Sequence, residues 1–90
     1  MKHFFLISSN PELFKLFKDI YPQAQWSVSE RGAGAIEYLF NDPPELLIVD
    51  NDLDDLKGLE LIRLFKSENV YRQVPAIICL NQDDLPHDID

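Results

Sequence analysis

Short apolar runs, each stopped by polar residues, alternate along this chain with segments whose apolar residues recur at helical spacing. Phe4-Phe5-Leu6-Ile7 is continuous and ends at Ser8-Ser9-Asn10, the pattern of a strand covered on both faces. Asn10-Pro11 then reads as a helix start, with Asn as N-cap and Pro at the first helical position, where its missing N–H costs nothing. Leu13, Leu16, Phe17 and Ile20 follow in register, Phe14 and Tyr21 widen the stripe, and Glu12, Lys15, Lys18 and Asp19 lie opposite. At 100° per residue the apolar arc is about 160°, wide for a helix with a single neighbour.

Pro22 ends that helix, and Gln25-Trp26-Ser27-Val28 predicts a weaker strand near a sheet edge. Ser29 is placed to cap a second helix with Ala33, Ile36, Leu39 and Phe40 on its apolar face. Gly32 and Gly34 weaken its first turn, and Asn41-Asp42-Pro43-Pro44 closes it. Leu46-Leu47-Ile48-Val49 is the clearest buried strand, running into the acids Asp50-Asn51-Asp52-Leu53-Asp54-Asp55. After Gly58 a third helix is expected to turn Leu59, Leu61, Ile62, Leu64 and Phe65 inward and to end near Asn69. A fourth strand is expected over Val74–Leu80, and the tail from Asn81 to Asp90 is polar and acidic.

The order βαβαβαβ with short connections implies an α/β fold with a parallel sheet wound by right-handed crossovers. Function in such sheets gathers beyond the carboxyl ends of the strands. Those ends are Ser8-Ser9-Asn10, Asp50 to Asp55, and Leu80-Asn81-Gln82.

Composition narrows the choice of function. Forty-six per cent hydrophobic residues in 90 point to one folded domain over residues 1–90, despite a net charge of −8. Sixteen acids against eight bases repel phosphate backbones and anionic membranes, so neither nucleic acid nor membrane is an expected partner. The single cysteine, Cys79, excludes an intramolecular disulfide and reads as a small buried hydrophobe. With no leader pattern and no apolar run of spanning length, the expected location is cytoplasmic.

Asp50, at the end of the strongest strand, suits nucleophilic attack on a phosphoryl group or the binding of a hard cation; equally, the acid run suits a solvated loop that caps the next helix. The acid run is not an EF-hand: its sixth position is Asp55 where Gly is needed, and its twelfth is Leu61 where Glu is needed. Ser8-Ser9-Asn10-Pro11 could hold a phosphate, but without glycine, and with Pro11 removing a donor, it reads better as turn and cap. His3 and His87 have no ligand-spaced partner, and no Ser/His/Asp ordering, Walker loop or dinucleotide fingerprint is present. An enzyme is not expected.

The segment Leu46 to Leu80 resembles the response-regulator receiver family, the CheY-like domains. Leu46-Leu47-Ile48-Val49-Asp50 matches the third strand with its phosphoacceptor Asp, Gly58 stands eight residues on, and Val74-Pro75-Ala76-Ile77-Ile78 matches the fourth strand. The resemblance implies a flavodoxin-like three-layer sandwich with strand order 2-1-3-4, lacking the family's final helix-strand-helix. It names Asp50 as candidate phosphoacceptor, with Asp50 and the backbone carbonyl of Asp52 as cation ligands. The departures are specific. The two acids that hold Mg²⁺ in receivers correspond to Ser8 and Ser9, the switch Thr or Ser corresponds to Leu80, and Asp54 stands where a proline is usual. A hydroxyl is a poor substitute for a carboxylate on a hard dication, so Mg²⁺ binding is expected to be weak at most.

The expectation is therefore a pseudo-receiver acting by protein–protein interaction, with a histidine kinase or the output domain of a larger signalling protein as partner. The alternative is a working receiver phosphorylated on Asp50 by a histidine kinase in a phosphorelay. Self-association is also expected, because the fourth strand would be an unprotected apolar edge and the wide stripe of the first helix would lie partly bare.

Overall fold

The structure, a computed structural model, describes residues 2–80. The tail from Asn81, with His87 and the far end of the fourth-strand loop, lies outside the described residues. The elements are β1 (His3–Ile7), α1 (Pro11–Ile20), β2 (Gln25–Ser29), α2 (Gly32–Asn41), β3 (Leu46–Asp50), α3 (Gly58–Lys66), a 3₁₀ turn (Asn69–Tyr71) and β4 (Ala76–Cys79). All strand pairs are parallel, in the order β2-β1-β3-β4. This is the flavodoxin-like arrangement expected, with three helices.

Register decides which side chains share a face. Phe5, Leu47 and Ala76 stand level, as do Ile7, Val49 and Ile78. Strand side chains alternate, so these residues look to one side of the sheet. On that side Phe5, Ile7, Leu47 and Val49 form a single cluster with Ala35 and Leu39 of α2 and Leu61 and Phe65 of α3. Tyr71 completes it, stacking on Phe65 at 4.9 Å and donating its hydroxyl to the Phe40 carbonyl at 2.8 Å. The opposite face carries Phe4, Leu6 and Ile48 under α1, held by aromatic edges: Trp26 meets Phe4 at 5.4 Å and Phe14 at 6.0 Å.

Helix α1 starts as its sequence dictates, with Asn10 Oδ1 accepting from the Glu12 N–H at 3.0 Å. No residue of α1 is fully buried, and Leu16 and Ile20 are each 53% exposed.

Four local expectations are corrected. In α2 the buried line is Gly32, Ala35 and Leu39, and Ala33 is exposed. Gly32 sets that rotation: a Cβ there would lie 2.9 Å from Leu61 Cδ1, so the glycine lets α3 approach. In α3, Leu59 and Leu64 are exposed, and the buried line is Gly58, Leu61 and Phe65. At 100° per residue, Leu59 and Leu64 fall on opposite flanks of that line, and a helix on a flat sheet cannot bury both. The helix also stops at Lys66, whose ammonium donates to the carbonyls of Arg72 and Val74 and folds the chain into the 3₁₀ turn. Finally, Ser29 does not cap α2. Its hydroxyl serves Arg31, and the cap comes from another loop.

Candidate functional site

Because β1 and β3 are neighbours, the residue after β1 meets the last residue of β3. Ser8, 4% exposed, donates its hydroxyl to Asp50 Oδ2 at 3.0 Å and accepts from the Asn10 N–H at 3.0 Å. Its own N–H donates to the Ser29 carbonyl at 2.9 Å, continuing the β1–β2 ladder, so the hydroxyl sits on rigid backbone. Asp50 is half-buried, and its other oxygen, Oδ1, accepts from the Asp52 N–H at 3.1 Å. Ser9, though adjacent in sequence, is exposed.

The acid run from Asp50 does not behave as a block of like charge. Its members turn to different donors. Asp52 pairs with Lys57 at 3.5 Å across an isolated antiparallel bridge. Asn51 Oδ1 accepts from the Leu59 N–H at 3.2 Å and so caps α3. Asp55 reaches the start of α2, where its two oxygens accept from the N–H groups of Gly32 at 3.1 Å and Ala33 at 2.8 Å. These bonds, that from Ala33 foremost, hold the Asp55 carboxyl below the usual aspartate range. The loop is thus a helix cap twice over, where the plainer reading of the acid run expected a cap on the next helix alone. One cap serves the next helix and the other serves the previous one.

Gly58 closes the loop. A Cβ there would lie 2.6 Å from the Asp50 carbonyl oxygen and 2.7 Å from Val49 Cγ1, so only glycine brings α3 this close to the strand end. Cys79 stands level with Asp50 across the sheet. Burial first, and then the Asp50 charge, pushes its thiol up, which keeps it protonated and unreactive at neutral pH. Leu80 follows Cys79 directly and is exposed.

The oxygen donors gathered here do not suit Mg²⁺. That ion demands a near-octahedral oxygen shell and releases water reluctantly. Of the two nearby carboxylates, Asp50 accepts a hydrogen bond from the Ser8 hydroxyl and Asp52 faces the Lys57 ammonium. Among the described residues, no three His, Cys, Asp or Glu side chains converge as a metal-binding group.

The structure also joins residues that the sequence left apart. His3 Nε2 lies 2.8 Å from Ser27 Oγ, and its Nδ1 lies 3.8 Å from Asp42 Oδ2. This is not a catalytic relay. The Asp42 side chain is 84% exposed and beyond hydrogen-bond reach, so it cannot orient the imidazole. Among the described residues, no helix is long and apolar enough to cross a membrane.

No protein-family model and no curated protein matches the sequence. Solved structures do match. A sensor protein from Polaromonas sp. JS666 superposes with a TM-score of 0.77 at 18% identity, over 90% of this chain and 66% of its own. The receiver domain of a sensor histidine kinase from Pseudomonas aeruginosa PAO1, with a magnesium ion in its active-site cleft, gives 0.78 at 19% identity, over 97% and 72%. The phosphorylated cyanobacterial phytochrome response regulator RcpA gives 0.78 at 22% identity, over 92% and 69%. The chain spans about two thirds of the length of the domains it matches. In strand order, in helix placement and in the solved domains it superposes on, this chain has the CheY-like fold of response-regulator receiver domains.

Proposed function

We propose that residues 1–90 form a receiver-like signal-transduction module that works through protein–protein contacts, with phosphorylation of Asp50 impaired. The observation that supports this reading is the hydrogen bond from Ser8 Oγ to Asp50 Oδ2 at 3.0 Å. It puts a neutral donor on the carboxylate where phosphoryl transfer needs a cation to neutralise developing charge. The partners are proteins: a histidine kinase, the output domain of a larger signalling protein, or a second copy of the chain. A net charge of −8 and the absence of a spanning helix among the described residues agree with a cytoplasmic module that avoids nucleic acid and membrane.

The test is intact-mass spectrometry after treatment with acetyl phosphate and Mg²⁺, with Asp50→Asn as control. Little or no added phosphoryl mass is expected. Stoichiometric addition of one phosphoryl group, lost in Asp50→Asn, would establish the working receiver instead.

A further inference from the structure

We infer that the Ser8 hydroxyl stands in for a divalent cation at Asp50, and that the Ser8-Ser9 pair closes this pocket to Mg²⁺ and Mn²⁺. The inference rests on the receiver-like reading only for the place of the pocket; the chemistry is local. Ser8 is buried and held by three hydrogen bonds, two through its hydroxyl and one through its N–H. Its hydroxyl donates to Oδ2 of Asp50, and the Asp52 N–H donates to Oδ1. Both carboxylate oxygens therefore carry a donor from the protein. The bond also joins the ends of β1 and β3.

A cation entering this pocket would have to break the Ser8–Asp50 bond. In exchange it would gain the Asp50 carboxylate, hydroxyls, and an Asp52 carboxylate drawn toward Lys57. Hydroxyls repay little of the cost of stripping water from a small dication. An acid at Ser8 reverses the balance, since it turns a donor into a second charged acceptor beside Asp50. Ser9 is exposed, so an acid there adds negative charge at the rim without disturbing the core.

Mn²⁺ is the probe, followed by loss of its free electron paramagnetic resonance signal on titration with protein. Asp50→Asn supplies the baseline for loose attraction to an acidic chain. Wild type is expected to match that baseline, and S8D/S9D to bind at least an order of magnitude more tightly. Cooperative urea unfolding followed by far-ultraviolet circular dichroism reports whether the variants stay folded. Should the double variant not fold, S9D alone is expected to show a smaller gain. Mn²⁺ binding by wild type above the Asp50→Asn baseline overturns the inference, as does a folded S8D/S9D, or failing that S9D, without any gain. Phosphorylation is read separately. A wild-type chain labelled by acetyl phosphate yet indifferent to Mn²⁺ removes the functional reading and leaves this inference standing, and Mn²⁺ binding without labelling does the reverse.

Discussion

The two faces of the sheet are built to different standards. One carries Phe5, Ile7, Leu47 and Val49 under two helices, and every member of that cluster is buried. The other carries Phe4, Leu6 and Ile48 under a single helix that buries none of its own residues completely. The strands serve both sides equally well, since Leu6 and Ile48 are as buried as Ile7 and Val49. The difference lies in the covering layer. On the first face, glycines at Gly32 and Gly58 let helices come within contact of each other and of strand backbone. On the second, contact is made through ring edges at 5.2–6.0 Å, and the aliphatic side chains Leu16 and Ile20 are left half in water. Close packing on one side supports the site, and on the other the cover is incomplete.

The largest expected effect is on the packed face. Phe65→Ala removes the ring that touches Phe40 and Tyr71 and should cost about 3–5 kcal/mol, measured by urea unfolding. That is much of the net stability of a small domain. A loss below about 1 kcal/mol would mean that the cluster collapses to fill the space and is not the rigid layer described. Gly58→Ala comes next. Its Cβ meets strand backbone as well as a side chain, so α3 must retreat, at about 1–3 kcal/mol. If Gly58→Ala proves neutral, the approach of α3 to Asp50 is looser than drawn.

On the open face, Leu16→Glu should leave the stability of the isolated chain within about 0.5 kcal/mol of wild type. The proposed self-association predicts a different sensitivity. Light scattering across a concentration series should show wild type growing in mass, and Leu16→Glu and Ile20→Glu remaining smaller. Equal masses for all three at every concentration would remove α1 from the interface.

The smallest effect concerns Asp55, whose carboxyl titrates below the usual aspartate range because it accepts the N–H groups of Ala33 and Gly32. A carboxylate depressed by folding stabilises the folded state above its unfolded value of about 3.9. That contribution fades as pH falls through the still lower folded value. Asp55→Ala should therefore melt below wild type at pH 7, and the gap should narrow as pH is lowered beneath about 4. A gap that stays constant would mean that the carboxylate charge plays no part in the cap.

The sequence made the sheet legible because a buried parallel strand has few disguises: Phe4–Ile7 and Leu46–Val49 are apolar at every position. Asp50 was legible for a related reason, since it interrupts such a run. Helix faces were harder. Leu59 and Leu64 are as hydrophobic as Leu61, and only the flatness of the sheet beneath them decides which is buried. Ala33 and Ala35 are chemically alike, and only the close approach of Leu61 to Gly32 decides that Ala35 is the buried one. The Asp55 cap was out of reach. Its partners lie 22 and 23 residues away, and no local pattern announces a bond between two loops. Ser8 was legible as a strand end and through the resemblance to receiver domains, but its bond to Asp50 depends on the β1–β3 pairing.

The chain has one tryptophan, and it lies on the open face. Trp26 meets Phe4, Phe14 and Phe17 and donates its ring N–H to the Tyr21 carbonyl at 3.2 Å, at the very end of α1. Among the described residues its ring contacts are these alone, and Phe40, Phe65 and Tyr71 of the packed face form a separate group. Emission excited selectively at the indole is therefore a private channel to one side of the molecule. Any process that loosens or covers α1 should change its colour and intensity, while events around α2 and α3 pass almost unseen.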